Sequence, residues 1–122
     1  MSGFYREKIL DHYHHPRNQG TLSHPTCMHR ADNPLCGDEI DVAAAVKKDV
    51  IEEVKFHATG CAISVAGASL ISEKVRGMSP ADVQKMTEDD MMRILGIPLT
   101  PSRIKCAMMG LGSLQQCLKN KN

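Results

Sequence analysis

The sequence predicts an α+β fold, a small antiparallel β-sheet of about three strands with helices packed on one face, and three observations carry that prediction. Apolar residues alternate with a period of two between Asp38 and Ala58, the period lengthens to three and four after Gly60, and helix start signals then recur along the rest of the chain. One helix, then strands, then several helices is the order of a segregated α+β architecture. A length of 122 residues suits one domain, taken as residues 1–122, with a core large enough to need no disulfide staple.

The first element is an amphipathic helix over Gly3 to His15, in which Tyr5, Ile9 and Tyr13 lie four apart and Pro16 ends the run. Arg17 to Pro34 is rich in turn formers, Gly20, Pro25, Asn33 and Pro34, and leaves room only for a short edge strand. Ile40, Val42, Ala44 and Val46 then mark a half-buried strand over Asp38 to Lys47, and Val54, Phe56 and Ala58 mark its neighbour. The polar link Lys47-Lys48-Asp49 makes the pair an antiparallel hairpin, with the turn type left open because no glycine is present. Ile63, Ala66, Gly67, Leu70, Ile71 and Val75 form the stripe of a helix from Cys61 to Arg76, stopped at Gly77. Ser79-Pro80 with Asp82, and Thr87 with Asp90, start two short helices. A kinked stretch from Gly96 to Pro101 leads to a last helix whose apolar face is Ala107, Leu111, Leu114 and Leu118.

Composition removes several classes of function. The 15 basic and 14 acidic residues are scattered, so no phosphate-binding surface is predicted, and two Phe, two Tyr and no Trp supply no base-stacking platform. Nucleic acid is therefore not an expected partner. No apolar run approaches a bilayer span, so no membrane association is expected. The first residues lack the apolar stretch of a signal peptide, and a cytoplasmic location is the expectation. Five cysteines in a reducing compartment point to metal or sulfur chemistry more readily than to disulfides.

Cys36-Gly37-Asp38 places a thiolate and a carboxylate two residues apart where the chain enters a strand, with Gly37 permitting a tight bend. One oxygen donor among soft thiolates makes a more exchangeable site than four thiolates. Cys61 stands where the hairpin ends and a helix starts, so the helix dipole favours its thiolate. Cys106 is expected to open the last helix in the same way, with Arg103 and Lys105 adding positive charge. Alone, Cys36-Gly37-Asp38 also reads as a solvated turn, and Cys61 or Cys106 as a packed core cysteine. Three cysteines at element junctions, one beside a carboxylate, are harder to read that way. Cys117 reads as packing, Cys27 as a spare thiol in a loop, and His12, His14 and His15 as a solvated helix end, since adjacent helical residues share no face. The eight methionines read as adaptable core or contact surface.

Tyr5-Arg6, Ile9-Leu10-Asp11-His12-Tyr13, Pro16-Arg17-Asn18 and Gly20 resemble the start of iron–sulfur cluster assembly scaffolds of the IscU/SufU/NifU N-terminal type. Asn33-Pro34-Leu35-Cys36-Gly37-Asp38, Gly60-Cys61-Ala62-Ile63-Ser64 and Arg103-Ile104-Lys105-Cys106 follow in the family's order and extend the resemblance over nearly the whole chain. The resemblance implies a SufE/NifU-like fold and a scaffold rather than an enzyme. It implies that Cys36, Asp38, Cys61 and Cys106 hold a transient [2Fe–2S] cluster, or Zn2+ in its place. A cysteine desulfurase would supply the sulfur, and recipient apo-proteins would take the product.

Lys105 stands where IscU proteins have histidine, as in SufU proteins, and a protonated lysine is a poor ligand. Lys105 is therefore given a supporting role, holding Asp38 or keeping Cys106 as thiolate. The insertion that SufU proteins carry between their second and third cysteines is absent. The alternative that the resemblance carries is a zinc-dependent sulfurtransferase with Cys61 or Cys106 as persulfide acceptor. Leu99-Thr100-Pro101-Ser102-Arg103 keeps only one proline and one basic residue of the IscU chaperone-recognition stretch, so a dedicated Hsp70-type chaperone is not an expected partner. A structural zinc module is disfavoured because the chain has no Cys-x-x-Cys pair.

Overall fold

Alternation along the central strands places Ile40, Val42, Ala44, Val54 and Phe56 on one buried face, while Glu39 and Asp41 stay exposed. The computed structural model describes residues 3–34 and 37–120. Strands β1 (Cys27–Asn33), β2 (Asp38–Lys47) and β3 (Val50–Thr59) form an antiparallel sheet in the order β1-β2-β3. The β2–β3 turn is the two residues Lys48 and Asp49, at φ 53° and 60°. Both are left-handed, the type I′ arrangement that matches strand twist, so this turn forms without the glycine that usually signals it.

Strand β1 runs seven residues, longer than the short edge strand expected, because the ladder is supported at its start and by charge across the outer face. The Thr26 N–H donates to the Ala44 carbonyl at 2.7 Å, and the Thr26 hydroxyl accepts from the Val46 N–H at 2.9 Å. Arg30 lies 3.9 Å from Glu39 and 3.8 Å from Asp41 on the neighbouring strand. Charged side chains on such a strand also discourage edge-to-edge pairing.

Five helices, α1 (Gly3–His14), α2 (Ala62–Lys74), α3 (Pro80–Gln84), α4 (Glu88–Leu95) and α5 (Pro101–Lys119), complete the described fold. Ser79 caps α3 by accepting from the Asp82 N–H, and Thr87 and Asp90 form a reciprocal capping box on α4, as their spacing predicts. Helices α2 and α5 cover the sheet with Ala68, Ile71, Val75, Leu111 and Leu114. A second cluster joins Ile9 of α1 to Ala66, Leu70, Leu95 and Ala107. Every residue of α2 from Ser64 to Ser72 is buried, so this helix is enclosed on all sides rather than along one stripe. Small residues such as Ala66, Gly67 and Ala68 permit that enclosure by letting neighbours approach closely.

Three expectations are corrected by tertiary packing. Cys27 is not a spare loop thiol and Cys117 is not mere packing: Cys27 opens β1, faces the core, and is disulfide-bonded to Cys117 with Cα atoms 5.5 Å apart. Ninety residues of separation hide this pairing from local pattern. His12 is likewise not solvated. It is 7% exposed, with Nδ1 2.7 Å from Ser69 Oγ of α2, while His14 and His15 are exposed.

Candidate functional site

Two chain junctions and one helix meet at one end of the sheet. Strand β2 begins at Asp38, whose partner across the β1–β2 ladder is Asn33. Strand β3 ends at Thr59, and Gly60, at φ +140°, turns the chain so that Cys61 becomes the N-cap of α2. Helix α5 crosses the same region and delivers Cys106.

The donor atoms of Asp38, Cys61 and Cys106 all lie within 4.8 Å of one another. Two donors with bonds of about 2.3 Å to one ion can stand at most about 4.6 Å apart, so the set suits one metal ion after slight closure, or two bridged irons. Soft sulfur with one carboxylate is also the right chemistry for zinc or iron with sulfide. Asp38 and Cys106 are each 1% exposed, whereas Cys61 is half-buried. Cys36, the fourth predicted ligand, lies outside the described residues.

Asp38 has a second task. The Cys61 side chain makes no cap hydrogen bond, and the Cys61 N–H instead donates to Asp38 Oδ1 at 3.0 Å. A carboxylate from another element thus occupies the positive end of α2. The Cys61 thiol is held below its ordinary value. Burial, the largest effect, pushes it up, but hydrogen bonds from the Ser64 backbone and side chain and from Cys106 together outweigh it, with the Asp38 charge opposing them. Ser64 is 3.8 Å from Cys61 Sγ and one turn along α2. Sequence reasoning gave no role to Ser64 or Gly60; the only signal was their place in the run Gly60-Cys61-Ala62-Ile63-Ser64.

Cys106 requires a correction. It does not open the last helix, because α5 begins at Pro101 with Thr100 as N-cap, and Cys106 lies more than one turn inside. The apolar face counted from Ala107 missed this first stretch, which is exposed at Ser102, Arg103 and Lys105. The helix-dipole argument, confined to the first turn, therefore does not reach Cys106, whose Sγ instead lies 3.7 Å from the Ser102 carbonyl. An open cavity of about 640 Å3 leads to the thiols and is lined by Asn33, Cys61, Ser102, Arg103, Lys105 and Cys106 among others. The exposed Lys105 stands at this cavity and at a neighbouring groove beside Met108 and Met109.

Comparison with known proteins identifies the relatives of this chain. The chain is 36% identical over 122 residues to the iron–sulfur cluster assembly scaffold protein IscU of Aquifex aeolicus, covering 98% of this chain and 77% of that one. It is 32% identical to the zinc-dependent sulfurtransferase SufU of Bacillus subtilis, covering 95% of this chain and 90% of that one. A crystal structure of a putative iron–sulfur cluster assembly scaffold protein for the SUF system from Fervidobacterium islandicum superposes with a TM-score of 0.81. That match covers 92% of this chain and 94% of the other at 24% identity, and speaks to the fold alone. Residues 4–121 match the NifU-like N terminal domain, and the chain belongs to that family.

Proposed function

We propose that this protein is a scaffold on which a [2Fe–2S] cluster is assembled from iron and from sulfur supplied by a cysteine desulfurase, then passed to recipient apo-proteins. The observation that carries this reading is the convergence of two thiols and one carboxylate within 4.8 Å beside an open cavity. Cys61, Cys106 and Cys36 are assigned as thiolate ligands and Asp38 as the oxygen ligand. The oxygen makes one position exchangeable, which favours hand-over above storage. The cavity leaves a route by which sulfur enters and the product leaves. Arg103 and Lys105 offset the negative charge that thiolates and sulfides bring. A cytosolic location is part of this proposal, supported by the need to keep the ligand thiols free; the Cys27–Cys117 link, buried in the core, stands apart from them.

A second reading, a zinc-dependent sulfurtransferase, is favoured by one feature, the acidified and half-buried thiol of Cys61. In that reading the Cys61 thiolate attacks the outer sulfur of the desulfurase persulfide. The new S–S bond forms on Cys61, the old one breaks, and the desulfurase cysteine leaves as thiolate. Zinc would be held by the same residues and would order them.

Anaerobic incubation with a cysteine desulfurase, cysteine and ferrous iron separates the two. The scaffold reading expects native mass to rise by two irons and two sulfides with matching visible absorption, abolished by Cys36→Ser, Cys61→Ser or Cys106→Ser. Retained zinc with only sulfur atoms added would replace it with the carrier reading.

A further inference from the structure

We propose that Gly60 is a positioning residue for this site: its missing side chain lets the Asp38 carboxylate lie against the start of α2, facing the two thiols and capping the helix. An ideal Cβ on Gly60 would stand 2.0 Å from Asp38 Oδ1, 2.8 Å from its Cγ and 3.0 Å from its Cα. Asp38 has only two side-chain torsions and is 1% exposed, so its carboxylate cannot step aside without giving up the Cys61 N–H. The same hydrogen bond ties the oxygen ligand to the thiolate ligand, so displacing the carboxylate disturbs both at once. The functional consequence of the inference rests on the ligand role given to Asp38 above.

The φ of +140° at Gly60 would strain any side chain there, so the clash must be separated from the strain. Gly77, at φ +88° with nothing within 4 Å of its would-be Cβ, supplies the strain without a clash and lies outside the site. Asp38→Ala removes the two atoms nearest the Gly60 Cβ. A carboxylate-mediated effect of Gly60→Ala should therefore vanish in the Asp38→Ala background.

The test loads the metal-stripped protein with Co2+ and records its visible spectrum and dissociation constant. Gly60→Ala is expected to shift the spectrum as Asp38→Ala does and to weaken binding about ten-fold or more, the usual scale for displacing a group that orients a ligand. In the Asp38→Ala background, it should add less than about two-fold, and Gly77→Ala should leave the spectrum unchanged. Where Asp38→Ala shifts the spectrum, effects that multiply, or a wild-type spectrum in Gly60→Ala, would overturn the inference. If Gly60→Ala does not fold, recovery of folding in Gly60→Ala/Asp38→Ala supports the inference; failure of that double variant shows a purely backbone role and overturns it. If Asp38→Ala itself leaves the Co2+ spectrum unchanged, the ligand role of Asp38 falls. The Cys61 amide resonance of metal-free protein then decides: an upfield move shared by Gly60→Ala and Asp38→Ala sustains the positioning role, and an unmoved resonance in Gly60→Ala ends it.

Discussion

Gly110 of α5 lies directly on Ala68 of α2: a Cβ at Gly110 would stand 2.7 Å from the Ala68 Cα and 3.0 Å from its Cβ. The two backbones meet with only the Ala68 methyl beside the contact, and their closeness helps set the distance between Cys61, which starts α2, and Cys106, which α5 carries. Glycine to alanine in a helix interior ordinarily gains up to about 1 kcal/mol. Against backbone that cannot retreat, overpacking costs about 1–3 kcal/mol. Gly110→Ala is therefore expected to lower the urea midpoint. Gly112→Ala, with nothing within 4 Å, should raise it. A midpoint for Gly110→Ala at or above wild type would mean that the two helices separate without cost.

The Cys61 thiol gives opposite predictions for two neighbours. Burial raises its pKa, Ser64 and Cys106 lower it more, and the Asp38 charge raises it. Asp38→Asn keeps an acceptor for the Cys61 N–H but removes the charge, so the thiol should become more acidic still. Ser64→Ala removes a hydroxyl that steadies the thiolate, so the thiol should become less acidic. The pH dependence of alkylation in the metal-free protein reads both, with Cys36→Ser/Cys106→Ser as background so that Cys61 is the thiol followed. Midpoints that move together would show that these substitutions act on the fold and not on the charge.

Much of this architecture was legible because its signals are local. The alternation from Ile40 to Ala58, the capping pairs Ser79/Asp82 and Thr87/Asp90, and Cys61 at a strand-to-helix junction each need only a few adjacent residues. What the sequence hid depends on distance. The type I′ turn at Lys48-Asp49 forms because paired strands demand it, the start of α5 at Pro101 is exposed and carries no stripe, and the partners of Cys27 and His12 lie 90 and 57 residues away. At the site, residue types were readable but not the division of labour. Nothing in the sequence says that Asp38 caps the helix of Cys61 or that Gly60 leaves the room for it.

The Cys27–Cys117 link joins the start of β1 to the last turns of α5, at the end of each element away from Cys106. Closing a loop of this length removes chain entropy from the unfolded state equivalent to about 4–5 kcal/mol, an upper figure because the reduced, unfolded chain retains some structure. Stability should fall by up to that amount in strong reductant, with a lower urea midpoint. Cys27→Ala/Cys117→Ala should abolish the reductant effect. A wild-type midpoint indifferent to reductant would show that the link adds nothing to stability.

His12 predicts how stability depends on pH. Burial lowers its pKa below the ordinary 6.5, Arg17 and Lys8 push the same way, and Glu73 and Asp11 oppose them. The ring sits between α1 and α2, with Nδ1 2.7 Å from Ser69 Oγ, which also accepts from the Arg17 N–H at 2.9 Å, and Nε2 3.9 Å from Glu73. The folded protein thus takes up a proton at His12 less readily than the unfolded chain does. Where the unfolded state binds more protons, stability rises with pH. The contribution of a neutral His12 is therefore complete above about pH 6.5 and is lost as pH falls through that value toward the lowered folded pKa. Unfolding free energies between pH 7.5 and 5 should fall more steeply for wild type than for His12→Gln, which cannot take up the proton. Parallel slopes would mean that Glu73, half exposed, moves in to meet the charged ring and offsets the cost of its burial.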